Sequence, residues 1–148
     1  MEKKDLIKLL DEIFVPLGLK RKGNSWVFNG KGLSKIINLQ KSNYSNAFYI
    51  NYGYIINGLE LTTTTHVGDR LASINKEEQK RITDLLDFET EIPIDQRLAE
   101  LKVFIAGKIV TQIQSINTET DLLNELKKRQ HLNNITLVVK QHFNLELE

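Results

Sequence analysis

The segment that decides the fold is SWVFNGKGLSKIINLQK, residues 25–41. It contains two runs with β-strand character, Ser25–Asn29 and Leu33–Lys41, separated by a short stretch that contains two glycines. Apolar and polar residues alternate along the second run, which is typical of a strand with one buried face. Asn29-Gly30 supplies the positive φ angles of a tight hairpin turn. The segment therefore predicts an antiparallel hairpin.

The strand pattern continues after this hairpin. Ala47–Ile56 is predicted to be a third strand, with its aromatic and aliphatic residues facing one way. Gly53 within it indicates a bulge or a close approach of another backbone. After a turn at Asn57-Gly58, the threonine-rich segment Leu59–Val67 is predicted to be a fourth strand, since β-branched residues fit a pleated surface. We expect an antiparallel meander of three or four strands.

Helical periodicity dominates the rest of the chain. Apolar residues at spacings of three and four predict a helix over residues 3–17, which Pro16 and Gly18 end. The second half is predicted to hold a helix over Lys76–Leu86, a long helix from Asp95 to about Ile116, a helix from Thr118 to about Leu132, and a short helix within Ile135–Phe143, where a strand would also fit.

A sheet with one apolar face and several amphipathic helices predicts an α+β fold of two layers. We expect one domain over residues 1–148, with the N-terminal helix and sheet to about residue 70 and a helical half over about 75–145. Leu147-Glu148 could be a cloning remnant or native sequence, and no prediction rests on it.

Composition excludes several classes of function. The 148 residues carry 20 Lys and Arg against 19 Asp and Glu, so the net charge of +1 predicts no attraction of the whole chain to nucleic acid or membrane. The chain has no cysteine, which excludes disulfides, zinc–thiolate sites and thiol catalysis. No apolar run is long enough to span a bilayer and no signal peptide is seen, so we expect a cytoplasmic protein.

Four short motifs follow one another at close spacing. They are GLKRKG at residues 18–23, WVF at 26–28, INLQKS at 37–42 and FYINYG at 48–53, with His66 and Arg70 after them. This succession resembles a bacterial domain-of-unknown-function family, number forty-three-oh-four, over roughly residues 3–90. The resemblance implies a bacterial cytoplasmic protein and brings no activity and no catalytic residues.

The predicted central strands carry polar side chains on one face. Period-two geometry places Asn38 and Gln40 beside Tyr49 and Asn51. Amides do not act as acids or bases near neutral pH, but they hydrogen-bond a ligand or a partner backbone. The pattern indicates a recognition surface, and the alternative is the solvated face of a half-buried sheet.

His66 and Arg70 form a second candidate site. A zinc site needs three or four ligands, and His131 and His142 lie far away without ligand-like spacing. We therefore predict no metal site and no catalytic residue, and expect His66 and Arg70 to anchor the sheet or a loop. The alternative is a small-ligand or enzyme site in which these two residues converge with two amides of the sheet, Gln40 and Asn51.

Charge is unevenly distributed. Residues 18–42 hold six basic residues and no acid, namely Lys20, Arg21, Lys22, Lys31, Lys35 and Lys41. Residues 84–100 hold six acids against Arg97. The basic segment could contact nucleic acid phosphates, or its lysines could simply keep strand edges soluble.

The sequence as a whole favours a non-enzymatic module that binds another protein, and an immunity-like role is the specific hypothesis. Small-ligand binding or catalysis near His66 and Arg70, and nucleic acid binding through the Lys20–Lys41 segment, are the alternatives. No cofactor is predicted. The helix over residues 95–116 has apolar residues on more than one side, so a homodimer through this helix is a further expectation.

Overall fold

The computed structural model describes residues 1–129 and 131–145. Its sheet has five strands in sequential order, each antiparallel to the next. The strands are β1 (Lys20–Lys22), β2 (Ser25–Asn29), β3 (Leu33–Lys41), β4 (Phe48–Ile56) and β5 (Val67–Arg70). The helices are α1 (Lys3–Phe14), α2 (Lys76–Leu86), α3 (Ile94–Ile105), α4 (Thr111–Ser115), α5 (Glu119–Lys127) and α6 (Leu137–His142). The predicted α+β fold and its meander are confirmed, with more strands than expected.

Helix α1 forms as its periodicity predicts. The carboxylate of Asp5 accepts a hydrogen bond from the backbone N–H of Glu2, which satisfies a donor at the start of the helix. Apolar residues at its three- and four-residue spacings are buried, and a 3₁₀ turn over Val15–Leu17 follows. Gly18, with φ of 92°, ends it. The indole N–H of Trp26 on β2 donates to Asp11, which ties the helix to the sheet.

The hairpin between β2 and β3 is confirmed, but the reason given for its glycine is wrong. Positive φ occurs among the described glycines at Gly18, Gly23 and Gly58, and not at Gly30. A Cβ on Gly30 would lie 2.2 Å from the carbonyl oxygen of Leu33. Gly30 is therefore needed because the chain doubles back within contact of its own backbone.

The fourth strand predicted over Leu59–Val67 is wrong in position. Residues 57–66 form a loop, and the strand β5 begins at Val67. The cause lies in Gly53 and Gly68, which pair across β4 and β5. A Cβ on Gly53 would lie 2.3 Å from the Val67 carbonyl oxygen, and one on Gly68 would lie 2.5 Å from the Thr65 hydroxyl. Two glycines make room for the threonine loop to fold over the sheet, and the close approach predicted at Gly53 is confirmed.

The long helix predicted to Ile116 is interrupted. Helices α3 and α4 are joined by a π-helical segment, Ala106–Val110. Residues Leu101, Ile105, Ile109 and Ile113, spaced by four, are all buried. On a regular α-helix a four-residue spacing drifts by about 40° per step, so the last of them would leave the core. The wider π turn absorbs this drift and keeps one stripe against the sheet.

The helix predicted from Thr118 is shorter than its pattern indicates. Thr118 and Asp121 form the capping box at the start of α5, as the sequence suggests, but α5 ends at Lys127 and not near Leu132. The short helix within Ile135–Phe143 is confirmed as α6. Leu147-Glu148 lies outside the described residues. Among the described residues no helix combines the length and apolar character needed to cross a membrane.

The two faces of the sheet differ in burial. On β3, Leu33, Ile37 and Leu39 point into the core and are at most 2% exposed. On the opposite side of the same strand, Ile36 and Asn38 are half-buried and Gln40 is exposed. We call the side packed against the helices the covered face and the other side the open face. The loop over residues 57–66 overlies one end of the open face.

Candidate functional site

One row of side chains crosses the open face on all five strands. The strand register pairs Lys22 with Ser25, Ser25 with Asn38, Asn38 with Asn51, and Asn51 with Arg70. The row is polar throughout and has a cation at each end. Gln40 and Tyr49 form the neighbouring pair between β3 and β4. The sequence prediction that Asn38, Gln40, Tyr49 and Asn51 share a surface is therefore confirmed.

These amides are hydrogen-bonded to one another. The Asn51 side-chain N–H₂ donates to the Gln40 side-chain oxygen at 2.9 Å and to that of Asn38 at 3.5 Å. Asn38 donates in turn to the Ser25 hydroxyl at 3.0 Å. Because these side chains hydrogen-bond to one another, they keep those bonds when water is expelled from the surface. The same bonds hold the side chains in fixed positions, so the network is an ordered polar surface.

Arg70 is held at the end of this network. Its Nε donates to the Asn51 side-chain oxygen at 3.1 Å, and its Nη2 donates to the Gln40 side-chain oxygen at 3.2 Å. The guanidinium carbon lies 3.9 Å from the centroid of the Tyr49 ring, in cation–π contact. All three partners are neutral, so Arg70 is oriented without being neutralised.

A groove of about 690 Å³ lies beside Arg70. One side is formed by the amides of β3 and β4, and the other by the threonines of the loop, Thr63, Thr64 and Thr65. Sequence reasoning missed this wall because it assigned these threonines to a strand. The pair Gly53 and Gly68 is the signal that could have found it, since adjacent strand glycines indicate a close approach.

His66 does not join Arg70. It is 4% exposed, its Nδ1 accepts from the Ile56 backbone N–H at 2.8 Å, and its Nε2 lies 2.8 Å from the Glu60 carbonyl oxygen. A backbone N–H only donates, so Nδ1 must be the acceptor and Nε2 must carry the proton. Both ring nitrogens are thus occupied by the backbone, and His66 fastens the loop on which the threonine wall stands.

The far edge of the groove carries an ion pair that the sequence analysis did not single out. Asp69 lines the groove and accepts from Arg129 at 2.8 Å. Burial raises the pKa of the Asp69 carboxyl, and Arg129 opposes that rise. Burial also raises the pKa of the adjacent Tyr52 phenol to about 12.

The six basic residues of the Lys20–Lys41 segment do not share one surface. Lys20 and Lys22 belong to the open face, because they pair with Val27 and Ser25. Arg21 lies on the other face, 3.5 Å from Asp11. Lys41 donates to the Ser45 carbonyl, and Lys31 is exposed in the loop between β2 and β3.

Lys35 points the opposite way from the open face. It is 8% exposed, and its amine donates to the Ile113 carbonyl oxygen and to the Asn117 side-chain oxygen. Burial lowers the pKa of this amine. The charge count of the sequence therefore included a lysine that belongs to the core.

Metal-ligating residues are not gathered within residues 1–129 and 131–145, where no three His, Asp or Glu side chains are placed to hold one ion. His142 lies 2.5 Å from Glu119 across α5 and α6. The groove offers a guanidinium, amides and hydroxyls, which bind oxygen-rich groups by hydrogen bonds.

Fold and site define a two-layer α+β protein whose sheet is packed by helices on one side and carries an ordered polar network on the other. Residues 10–144, most of the chain, match the family described as Domain of unknown function (DUF4304), and the chain belongs to this family. The resemblance noted over the first half therefore extends through the helical half. No curated protein gives a significant match. No solved structure gives one either.

Proposed function

We propose that this chain is a non-enzymatic module that binds another protein through the open face of its sheet. The observation that carries the proposal is the hydrogen-bonded row ending on Arg70, a cation held by Asn51, Gln40 and Tyr49. Polar groups that are ordered before binding lose little side-chain entropy when a partner docks. This favours recognition of a defined surface.

The charge of the open face indicates an acidic partner. Lys20, Lys22 and Arg70 lie on it, and within the five described strands none of its side chains is acidic. Complementary charge steers the encounter of two proteins, and salt screens that steering. The association rate should therefore fall as salt rises.

The alternatives draw less support. Catalysis at His66 would need a ring nitrogen that does not already bond the backbone, and both are engaged. Nucleic acid binding through the Lys20–Lys41 segment would need its cations on one surface, yet Lys35 and Arg21 face the helices. Small-ligand binding in the groove beside Arg70 has the most support of the three, since the lining of the groove is polar and concave.

A finer version of the proposal places the protein in a bacterial cytoplasm as an immunity-like module that neutralises a toxin. A toxin domain that binds nucleic acid or nucleotides would not suit this face, whereas an acidic toxin surface would. The product of a neighbouring gene is the first partner to test. Co-expression that restores growth in the presence of that product would support this role, and continued toxicity would contradict it.

The general proposal is tested by site-specific photo-crosslinking. We would place p-benzoylphenylalanine at Val27 on the open face and, as a matched control, at Val103 on the outside of α3, which is 71% exposed. In a lysate of the cell that makes the protein, we expect a discrete adduct from position 27 at low salt and a weaker one at high salt. No adduct at position 27, or equal adducts at both positions, would overturn the proposal.

A further inference from the structure

We infer that the groove beside Arg70 is a binding site for a single carboxylate, presented by an acidic side chain of the partner. This inference rests on the proposed function, because it names the group by which that partner is held. It is drawn from the state of Arg70 relative to the other arginines and from the charge of the groove.

Arg70 differs from the other four arginines, all of which lie in the described residues. Arg21, Arg81 and Arg129 each pair with a carboxylate. Arg97 binds backbone carbonyls. Arg70 has neither, and its only acceptors in the described residues are two amide oxygens.

The guanidinium of Arg70 keeps donors for a ligand. Arginine has five N–H donors in a planar fork. Two of them are used by Asn51 and Gln40. Three remain without an acceptor in the described part of the chain, and the Tyr49 ring fixes the plane in which they lie. A planar fork with donors to spare matches the geometry of a carboxylate.

The threonine wall supplies further donors. Thr64 and Thr65 line the groove, and their hydroxyls make no hydrogen bond to the residues that the structure describes. Thr63 differs, because its hydroxyl donates to the Thr65 carbonyl at 2.7 Å and stiffens the wall. Hydroxyls that line the same groove as an arginine can donate to the oxygens of the carboxylate that the arginine binds.

The charge of the groove favours a carboxylate over a phosphate. Its ionic lining consists of Arg70 and Asp69, and Asp69 is already paired with Arg129. A carboxylate brings one negative charge, which Arg70 balances. A phosphate group brings about 1.5 to 2 negative charges, and the described lining of the groove holds no second cation to balance the excess. The groove volume of about 690 Å³ also has room for the residues that flank an acidic side chain.

The test is a titration followed by NMR of ¹⁵N-labelled protein. The probes are a capped tripeptide Gly-Glu-Gly, its Gly-Gln-Gly counterpart, and inorganic phosphate. We expect the Glu peptide to shift the Arg70 Nε signal together with the side-chain amides of Gln40 and Asn51, and the Gln peptide to leave them in place. Equal shifts with both peptides, or tighter binding of phosphate, would overturn the carboxylate assignment.

Matched variants separate this site from general charge. Arg70→Lys keeps the charge and loses the fork, so we expect about tenfold weaker binding of the Glu peptide. Arg21→Lys makes the same change on the covered side and should leave the affinity unchanged. Equal losses in both variants would contradict the site, and thermal unfolding of each variant shows whether it is folded.

The same variants distinguish failure of this inference from failure of the proposed function. If Arg70→Lys still gives the full crosslink at Val27, the open face binds a protein without using this carboxylate site. If the Glu peptide binds at Arg70 while no crosslink forms at Val27, the groove is a carboxylate site and the protein-binding function is wrong.

Discussion

The covered and open faces of the sheet use polar side chains in opposite ways. On the covered side, buried cations bind backbone carbonyls. Lys35 binds the carbonyl of Ile113 near the end of α4, and Arg97 binds carbonyls at the end of α2. On the open face, Asn51 and Gln40 bind other side chains. Removing a side chain that donates to buried backbone carbonyls costs much unfolding free energy, because those carbonyls are left without a donor. On an open surface, water replaces the lost partner. The difference separates polar groups that build the fold from those available to a partner.

Arg97 is the extreme case of the covered side. It is 2% exposed, and its Nη1 donates to the carbonyls of Asp84, Leu85 and Asp87 at 2.7–3.0 Å. Its Nη2 donates to the Thr90 carbonyl at 2.7 Å. Carbonyls at a helix C-terminus lack partners within the helix and carry partial negative charge, so a cation there is doubly favoured. Burial lowers the pKa of Arg97.

The largest expected effect is therefore the loss of Arg97. Arg97→Ala leaves several buried carbonyls without donors and should lower the free energy of unfolding by about 4 kcal/mol, measured by urea denaturation. The matched control is Arg81→Ala, whose partner Glu100 is partly exposed, and which should cost less than about 1 kcal/mol. Similar costs for the two arginines would break the comparison.

The next largest effect is expected at Gly53, where the loop over residues 57–66 packs against the open face. Gly53→Ala places a Cβ 2.3 Å from the Val67 carbonyl oxygen, so we expect a loss of about 2–3 kcal/mol in the free energy of unfolding. Gly107→Ala meets no atom within 4 Å and lies in a helix, so it should be neutral or stabilising by up to about 1 kcal/mol. A harmless Gly53→Ala would show that the loop does not pack on this strand.

A third test uses the tyrosines of the covered face. Burial raises the pKa of Tyr54 and raises that of Tyr52 to about 12. Because these folded-state pKa values exceed the unfolded value of about 10, their contribution to stability is complete below pH 10 and is lost as the pH rises through the folded values. We expect the free energy of unfolding to fall by about 1 kcal/mol per pH unit above pH 10 for each buried phenol.

The variant Tyr52→Phe with Tyr54→Phe checks this assignment. It should flatten the alkaline slope relative to the wild type, with each protein normalised to its stability at pH 8. The measurement is chemical denaturation at a series of pH values from 8 to 12. A slope that survives both substitutions would mean that other groups cause the alkaline loss.

The smallest expected effect is on the open face itself. Gln40→Ala removes an exposed amide whose partners, Asn51 and Arg70, can turn to water, so it should cost less than about 0.5 kcal/mol of unfolding free energy. The same variant should weaken binding of the Glu peptide, because it loosens Arg70. A stability loss above about 1.5 kcal/mol would show that this network builds the fold and would erase the distinction between the faces.

Sequence reasoning reached the parts of the molecule that local pattern controls. The alternation along β3 and β4 was enough to gather Asn38, Gln40, Tyr49 and Asn51, because strand pairing conserves the parity of side chains. It also located α1, α2 and the short α6, whose apolar spacing or caps are local signals. The strand β1 was missed because three successive charged residues carry no apolar pattern.

What the sequence missed depends on contacts between distant segments. Lys35 and Arg97 count as surface charge until their acceptors are known, and Ile113, which binds Lys35, lies 78 residues away. The same holds for His66, which looks like a candidate catalytic group until two backbone partners occupy its ring. Tertiary packing decides these roles, and no local propensity reports it.

The π-helical segment Ala106–Val110 makes the fold sensitive to the exact number of residues in this helix. Deleting a single residue such as Gly107 would restore a regular α-helical turn, rotate everything after it by about 100° and draw it back by about 1.5 Å. The Ile113 carbonyl would swing away from the amine of Lys35. A chain one residue shorter at this turn would leave the buried amine of Lys35 without this acceptor. The length of the chain at this turn and the residue at position 35 can therefore change only together.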